Sequence, residues 1–257
     1  VANERLREAL LRNGLDISDV AERAGVDSKT VERWITKGRA PYPRHRHAVA
    51  ALVRESENYL WPDAVSPERR AEVSESEVIT VFPHRNDIPS DLWRRLLASA
   101  TGQLDILVLA GLFLAEEPEF TKAVRKRTRE GLKVRMMFGR PTAPEADKRS
   151  AEERLASGTV GARISNALAL VRHLGDIDGV ELRYHNTTLY NSIFRFDDEM
   201  IVNMHAYGLP GAHAPAMHIR QLPAGDLFDT YMTSFEHVWA TATEDEDGGD
   251  GTNRLLP

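Results

Sequence analysis

Ile17-Ser-Asp-Val-Ala-Glu-Arg-Ala-Gly-Val-Asp-Ser-Lys-Thr-Val-Glu-Arg-Trp34 holds two short helical patterns separated by one glycine. Asp16, just ahead of it, is placed to cap the first pattern, and Asp19 three residues later supplies the reciprocal acid of a capping box. Val20, Ala21 and Ala24 then recur at helical spacing until Gly25 breaks the run. Asp27 is placed to cap the second helix, which carries Val31, Trp34 and Ile35 inward and stops at Gly38. Two short helices crossing at a steep angle need a small residue at their close contact and a glycine in their turn, and Ala21 and Gly25 stand at those places. Val20, Ala24, Val26, Val31 and Trp34 have the spacing to lock the pair together. That leaves Ser28, Lys29, Thr30, Arg33 and Lys37 on the exposed face of the second helix.

Working outward, residues 3–13 read as an amphipathic helix with Leu6, Leu10 and Leu11 on one stripe, ended by Gly14. After Gly38, Pro41 and Pro43 predict an extended turn, and residues 47–53 a fourth helix. Seven basic residues (Arg23, Lys29, Arg33, Lys37, Arg39, Arg44 and Arg46) face two acids between Arg23 and His47, on a chain whose net charge is -6. A local basic patch on an acidic chain is the electrostatic footprint of a nucleic-acid contact. Short hydrogen-bonding side chains at a helix N-terminus suit base edges, and cations further along suit phosphates.

Residues 3–60, about a quarter of the chain, resemble the Xre-type helix-turn-helix repressors through the run from Ile17 to Trp34. The resemblance implies that Ser28, Lys29, Thr30 and Arg33 enter the major groove of double-stranded DNA. Lys37 shares their face, while Arg39, Arg44 and Arg46 would meet the backbone. The competing reading is a helical pair that only packs or binds protein.

A chain of 257 residues, 42% hydrophobic and 28% charged, is too long for one small bundle and fits a small domain followed by a medium one. The expected organisation is a helix-turn-helix domain over residues 1–63, a linker over 64–77, an α/β domain over 78–242 and a disordered acidic tail over 243–257. The absence of cysteine rules out disulfides, thiolate catalysis and cysteine-ligated metals. The longest apolar run, residues 106–115, is short of the ~18 to 20 residues that span a bilayer, so neither membrane segment nor leader is expected and the location is expected to be cytoplasmic.

From residue 78 the pattern alternates between strands and helices, which predicts a sheet with helices packed on it. Strands are expected at 78–82, 104–110, 133–138, 180–185, 189–196, 200–205 and 217–222, and helices at 92–100, 119–130, 151–174 and 227–242. Between Val180 and Gly208 polar residues stand inside the strands. Glu181, Arg183 and His185 alternate onto one face of theirs. Converging Arg, His, Tyr and Asn side chains suit an anion, so Arg183, His185, Tyr190, Asn203 and His205 are the candidate ligand residues, with Arg195 and Arg149 as weaker ones. A structural hydrogen-bond network at a sheet edge is the alternative.

This domain is similar to the phospholipase D superfamily, in which a strand carries His-x-Lys and, after four intervening residues, Asp. Here that spacing falls on Tyr190, Ser192 and Asp197, with His205 near the later small hydroxyl position. Replacement of both the nucleophilic histidine and the phosphate-binding lysine implies an inactive phospholipase D-like fold of the sensor type found in actinobacterial Xre regulators. No catalytic residue, metal or cofactor is expected. A single motif copy, where the family's site uses two, implies a homodimer. The fold class expected is therefore multidomain, an all-α helix-turn-helix domain plus an α/β phospholipase D-like domain. The function expected is a transcription regulator that dimerises and senses a small anionic ligand. The rivals are a DNA-targeted phosphodiesterase or nuclease and a ligand-free assembly module.

Overall fold

The computed structural model describes residues 2–53, 55, 57–62, 64, 76–223 and 225–244. They divide into two units, Val1–Glu77 with Gln221–Thr230, and Val78–Arg220 with Tyr231–Pro257. Most of the expected linker, residues 65–75, and of the expected tail, residues 245–257, lies outside the described residues.

The first unit is helical: α1 (Glu4–Arg12), α2 (Ile17–Ala24), α3 (Ser28–Thr36), α4 (Pro43–Val53) and α5 (Glu57–Leu60). Its helix starts are set by local side chains. Asn3 accepts from the Leu6 amide, Asp16 and Asp19 form the capping box, and Asp27 accepts from the Thr30 amide. Gly25 closes α2 at φ 64°, a left-handed conformation that a side chain would strain. Leu6, Ala9, Val20, Val31, Trp34, Val49, Val53 and Leu60 form the core of this unit, whereas Leu11, expected on the apolar stripe, is 73% exposed. The fourth helix starts earlier than expected, with Pro43 as its first residue: a proline there gives up an amide that no helical carbonyl would accept. Glu77, expected in the linker, is buried and accepts from the amides of Asp226, Leu227 and Phe228.

The second unit is built on seven strands: β1 (Val78–Phe82), β2 (Gln103–Val108), β3 (Lys133–Gly139), β4 (Val180–His185), β5 (Asn191–Phe196), β6 (Glu199–Met204) and β7 (Ala216–Arg220). They form one mixed sheet in the order β1-β7-β6-β5-β2-β3-β4, parallel across β2, β3 and β4 and antiparallel elsewhere. Around it lie α6 (Ser90–Ser99), α7 (Leu112–Ala115), α8 (Pro118–Arg129), α9 (Pro144–Glu152), α10 (Thr159–Val171) and α11 (Leu227–Thr241). The parallel strands alternate with helices because parallel pairing requires a crossover. Leu104, Ile106, Val134, Met136, Phe138 and Phe194 meet Leu96, Phe120, Val124, Ile164 and Leu168 in the main core.

The single helix expected at 151–174 is two helices. Gly158, at φ 76°, turns the chain between α9 and α10, and its amide is held by Asp147 Oδ1 at 2.8 Å. Gly161 permits a close approach, since a Cβ there would stand 2.4 Å from the Pro141 carbonyl. α11 lies over two guanidinium groups, with Arg183 4.1 Å from the Trp239 ring centre and Arg135 4.7 Å from that of Phe235. Thr243, expected as the first residue of the tail, exchanges two backbone hydrogen bonds with Tyr184, at 2.7 and 3.0 Å.

Candidate nucleic-acid interface and ligand pocket

α3 turns Val31, Trp34 and Ile35 inward and Ser28, Lys29, Arg33 and Lys37 outward. None of these three cations has a carboxylate partner among the described residues. Thr30 is half-buried and committed to the cap, its amide and hydroxyl both bonding the Asp27 carboxylate, at 2.9 and 2.8 Å. Those bonds, the hydroxyl one first, hold the Asp27 carboxyl below its ordinary pKa. Past the helix, Arg39 and Arg44 are exposed, and the Arg44 Nε donates to His45 Nε2 at 3.1 Å. Arg46 corrects the sequence reading. It is 8% exposed, bonded to Glu57 at 3.1 Å and to the Pro41 carbonyl at 3.0 Å, because the earlier start of α4 turns it inward. His45, within the basic patch, ties α4 to α2 through the Ala24 carbonyl at 2.9 Å and lies 6.0 Å from the Trp34 ring.

The seven candidate ligand residues of the second unit do not converge on one place. Arg183 stacks on Trp239, donates to its carbonyl at 3.2 Å and lies 3.5 Å from Glu181. Arg195 bonds the fully buried Asp105 at 3.1 Å, which Arg135 also bonds, at 2.7 Å. His185 is buried, between the Val108 carbonyl at 3.0 Å and the Thr187 amide at 3.1 Å. Its burial lowers its pKa, so it is neutral. Tyr190 is 79% exposed. Asp197, the last position of the phospholipase D spacing, accepts from the amides of Thr101, Gly102 and Gln103 at 2.6 to 2.9 Å, which is a structural task.

Arg149, Asn203 and His205 do come together, in a cavity of about 440 Å³ that Arg85, Phe113, Arg163 and Ser192 also line. Strand register assembles it. Ser192 on β5 stands opposite Asn203 on β6, and His205, just beyond β6, is held by its amide bond to the Tyr190 carbonyl at 2.8 Å. The His205 Nδ1 faces the Leu189 carbonyl at 3.1 Å and so carries the proton, leaving Nε2 to accept from the Ser192 hydroxyl at 3.1 Å. Burial lowers the His205 pKa to about 4, keeping the ring neutral. Arg149 is bonded to Glu153 at 2.7 Å and to the Leu209 carbonyl at 3.0 Å, and Arg163 reaches the same Glu153 at 3.4 Å.

Arg85 differs from both. Its guanidinium lies 3.7 Å over the Phe113 ring and has no hydrogen-bonding acceptor among the described residues. Burial lowers its pKa to about 10, with no carboxylate to offset it. The sequence reading missed it because it sits in a short turn far ahead of the polar strands, with no local pattern to mark it.

No family model and no curated protein matches the chain. Among solved structures it is similar to TrmBL2, an archaeal chromatin protein whose structure is described as showing a novel mode of DNA binding. That likeness has 14% identity over 69% of this chain and 59% of the other, with a TM-score of 0.41. It is also similar to Nuc from Salmonella typhimurium, a phospholipase D family member, at 13% identity over 64% of this chain and 96% of that one, with a TM-score of 0.35. The chain thus spans 59% of the length of the chromatin protein. Likenesses this distant carry no functional argument. Among the described residues, no helix is long and apolar enough to cross a membrane.

Proposed function

We propose that the chain is a sequence-specific DNA-binding transcription regulator of the cytoplasm, which reads duplex DNA with the exposed face of α3. The observation that carries this is one stripe of unpaired cations. Lys29, Arg33 and Lys37 recur every four residues, so they stack on one helix face, and none has a carboxylate partner among the described residues. Like charges at that spacing destabilise a helix by about 0.2–0.5 kcal/mol per pair. Phosphates offset that cost. The opposite face of α3 is fixed in the core, so the stripe is presented rigidly, as groove reading requires.

The test is selection of bound duplexes from a random library, followed by anisotropy at several salt concentrations. An enriched motif is expected, with affinity falling by about 0.9 logarithmic units per phosphate contact for each tenfold rise in salt. No enrichment, with no retention of duplex at low salt, refutes the proposal.

The second unit, in this reading, dimerises and binds a small anionic ligand rather than catalysing a reaction. Dimerisation draws support from β1, which among the described residues is an edge strand, with Ile79 and Val81 44% and 56% exposed; an apolar edge invites a second strand. The phosphodiesterase alternative has one feature in its favour, the Ser192–His205 hydrogen bond. A histidine held near pKa 4 is a weak base at neutral pH, far from the match that general-base catalysis needs. Phosphodiester turnover that disappears in Tyr190→Phe or Ser192→Ala would overturn the non-catalytic reading.

A further inference from the structure

We infer that the cavity beside β5 and β6 binds a small amphipathic carboxylate carrying one hydrogen-bond donor, anchored by Arg85. This rests on the proposal that the second unit is a ligand-binding domain, and moves the site away from Arg183 and Arg195. Charge sets the valence of the ligand. Arg149 and Arg163 share Glu153, and Arg149 also lies 3.7 Å from Glu152, so those cations are compensated within the protein. His205 is neutral. Glu116 also lines the cavity but is exposed to water. Arg85 is thus left as one half-buried cation with no counter-charge bonded to it among the described residues, which calls for a single negative charge rather than two.

Shape selects the kind of anion. The Arg85 guanidinium stands 3.7 Å from the Phe113 ring centre, a cation–π seat that leaves its fork of N–H donors, which no acceptor among the described residues takes up, for a ligand. A planar carboxylate meets that fork with both oxygens. A phosphate monoester carries a second negative charge and a third oxygen, and the guanidinium groups that would meet them, Arg149 and Arg163, are already bonded to Glu153.

Polarity along the cavity selects the rest of the ligand. Leu109, Leu112, Phe113 and Val160 give it an apolar wall, suited to a hydrocarbon or aromatic body. Elsewhere in the lining the Ser192 hydroxyl spends its proton on His205, and the Asn203 amide nitrogen directs its two at the Pro215 and Ala214 carbonyls, at 3.0 and 3.4 Å. Both residues therefore offer oxygen acceptors and no donor. A ligand hydroxyl or amide N–H satisfies them, and a purely hydrocarbon acid does not. The volume, about 440 Å³, is in the range of small-molecule sites.

The test is calorimetry on the full chain with 4-phenylbutyrate, 2-hydroxy-4-phenylbutyrate, 4-phenylbutyramide, methyl 4-phenylbutyl phosphate and inorganic phosphate. Both acids are expected to bind, the hydroxy acid several-fold tighter, while the neutral amide and inorganic phosphate give no heat at the same concentrations. Arg85→Gln should weaken the acids by roughly tenfold or more, and Arg85→Lys by less. Ala212→Trp, at the rim, should block binding without touching the core, a control should an Arg85 variant misfold. Equal affinity for amide and acid, tighter binding of the phosphodiester, unchanged affinity in Arg85→Gln or no binding by either acid each overturn the inference. Anisotropy on DNA run with the same samples separates the failures: lost ligand binding with intact DNA binding removes only this inference, and the converse removes only the DNA-reading proposal.

Discussion

Substitution of Asp197 separates a charge from a backbone conformation at one position. Its carboxylate accepts three successive amides, Thr101, Gly102 and Gln103, at 2.7, 2.9 and 2.6 Å, while its own backbone sits at φ 54°. A hydrogen bond to a charged group contributes about 1.5–3 kcal/mol. Thr101 and Gly102 are exposed, so water replaces the carboxylate at two of the three amides, and solvent screening reduces the sum to about 2 kcal/mol. Left-handed backbone costs a residue such as alanine about 1 kcal/mol more, while glycine and asparagine tolerate it.

Asp197→Ala should therefore lose about 3 kcal/mol, Asp197→Gly about 2, and Asp197→Asn, which keeps one acceptor, about 1. Burial raises the Asp197 pKa, but the amide bonds outweigh it and hold the carboxyl below its ordinary value of 3.8. Its contribution is thus full above the unfolded pKa and is lost as the pH falls through the folded one. Urea denaturation of the full chain, followed by exchange of the Thr101 to Gln103 amides at pH 7 and at about pH 3, reads both effects. Equal losses in the Ala and Gly variants would refute the strain argument. An Asn deficit undiminished in acid would refute the charge argument.

Arg33→Ala should weaken specific duplex binding by about 1–3 kcal/mol and relax preference at one base pair, measured by anisotropy on the selected motif; unchanged discrimination would place the recognition face elsewhere. Arg46→Met should cost about 3 kcal/mol of first-unit stability by leaving the buried Glu57 with only His47, at 3.6 Å, beside it, yet leave the DNA affinity of the folded fraction unaltered. A DNA-specific loss would restore a backbone contact for Arg46. Since His205 titrates near 4 when folded and near the ordinary histidine value when unfolded, the unfolded chain binds more protons between those values. Stability should therefore decline as the pH drops from about 6.5 toward 4, less steeply in His205→Gln; identical slopes would show that His205 is not the buried neutral base. Light scattering on the full chain at micromolar concentration should give a dimer, and Val81→Lys on β1 a monomer. A monomeric parent chain ends the dimer proposal.

The first unit was legible because its signals are local. Asn3, Asp16, Gly25 and Asp27 each act within four residues, and α1 to α3 fall where those residues place them. Pro43 misled because a proline reads alike as the end of a turn and the first residue of a helix. Strands were recognisable from apolar runs, and the break between α9 and α10 had its cue in Gly158. The order of the strands was not in the sequence. Arg183 and Arg195 are near in the chain, but β2 and β3 separate their strands, so they serve different interactions. Arg85 reaches the cavity only through the return of the chain near Ala214, whose carbonyl accepts the Arg85 amide at 2.9 Å. Such a contact has no periodicity to read.

The strand order also sets a timetable for synthesis. β1 leaves the ribosome first of the seven described strands and, among the described residues, pairs only with β7, roughly 140 residues later. At about 5–20 residues per second it waits on the order of ten seconds with Val78, Ile79, Val81 and Phe82 uncovered. β2 likewise gains β3 early but must wait for β5 on its other side. The helical unit, complete before β1 emerges except for its returning segment at 221–230, can form on its own schedule. Chaperone demand in the cell should therefore fall on the sheet, and nascent chains stalled before β7 should be the ones that aggregate.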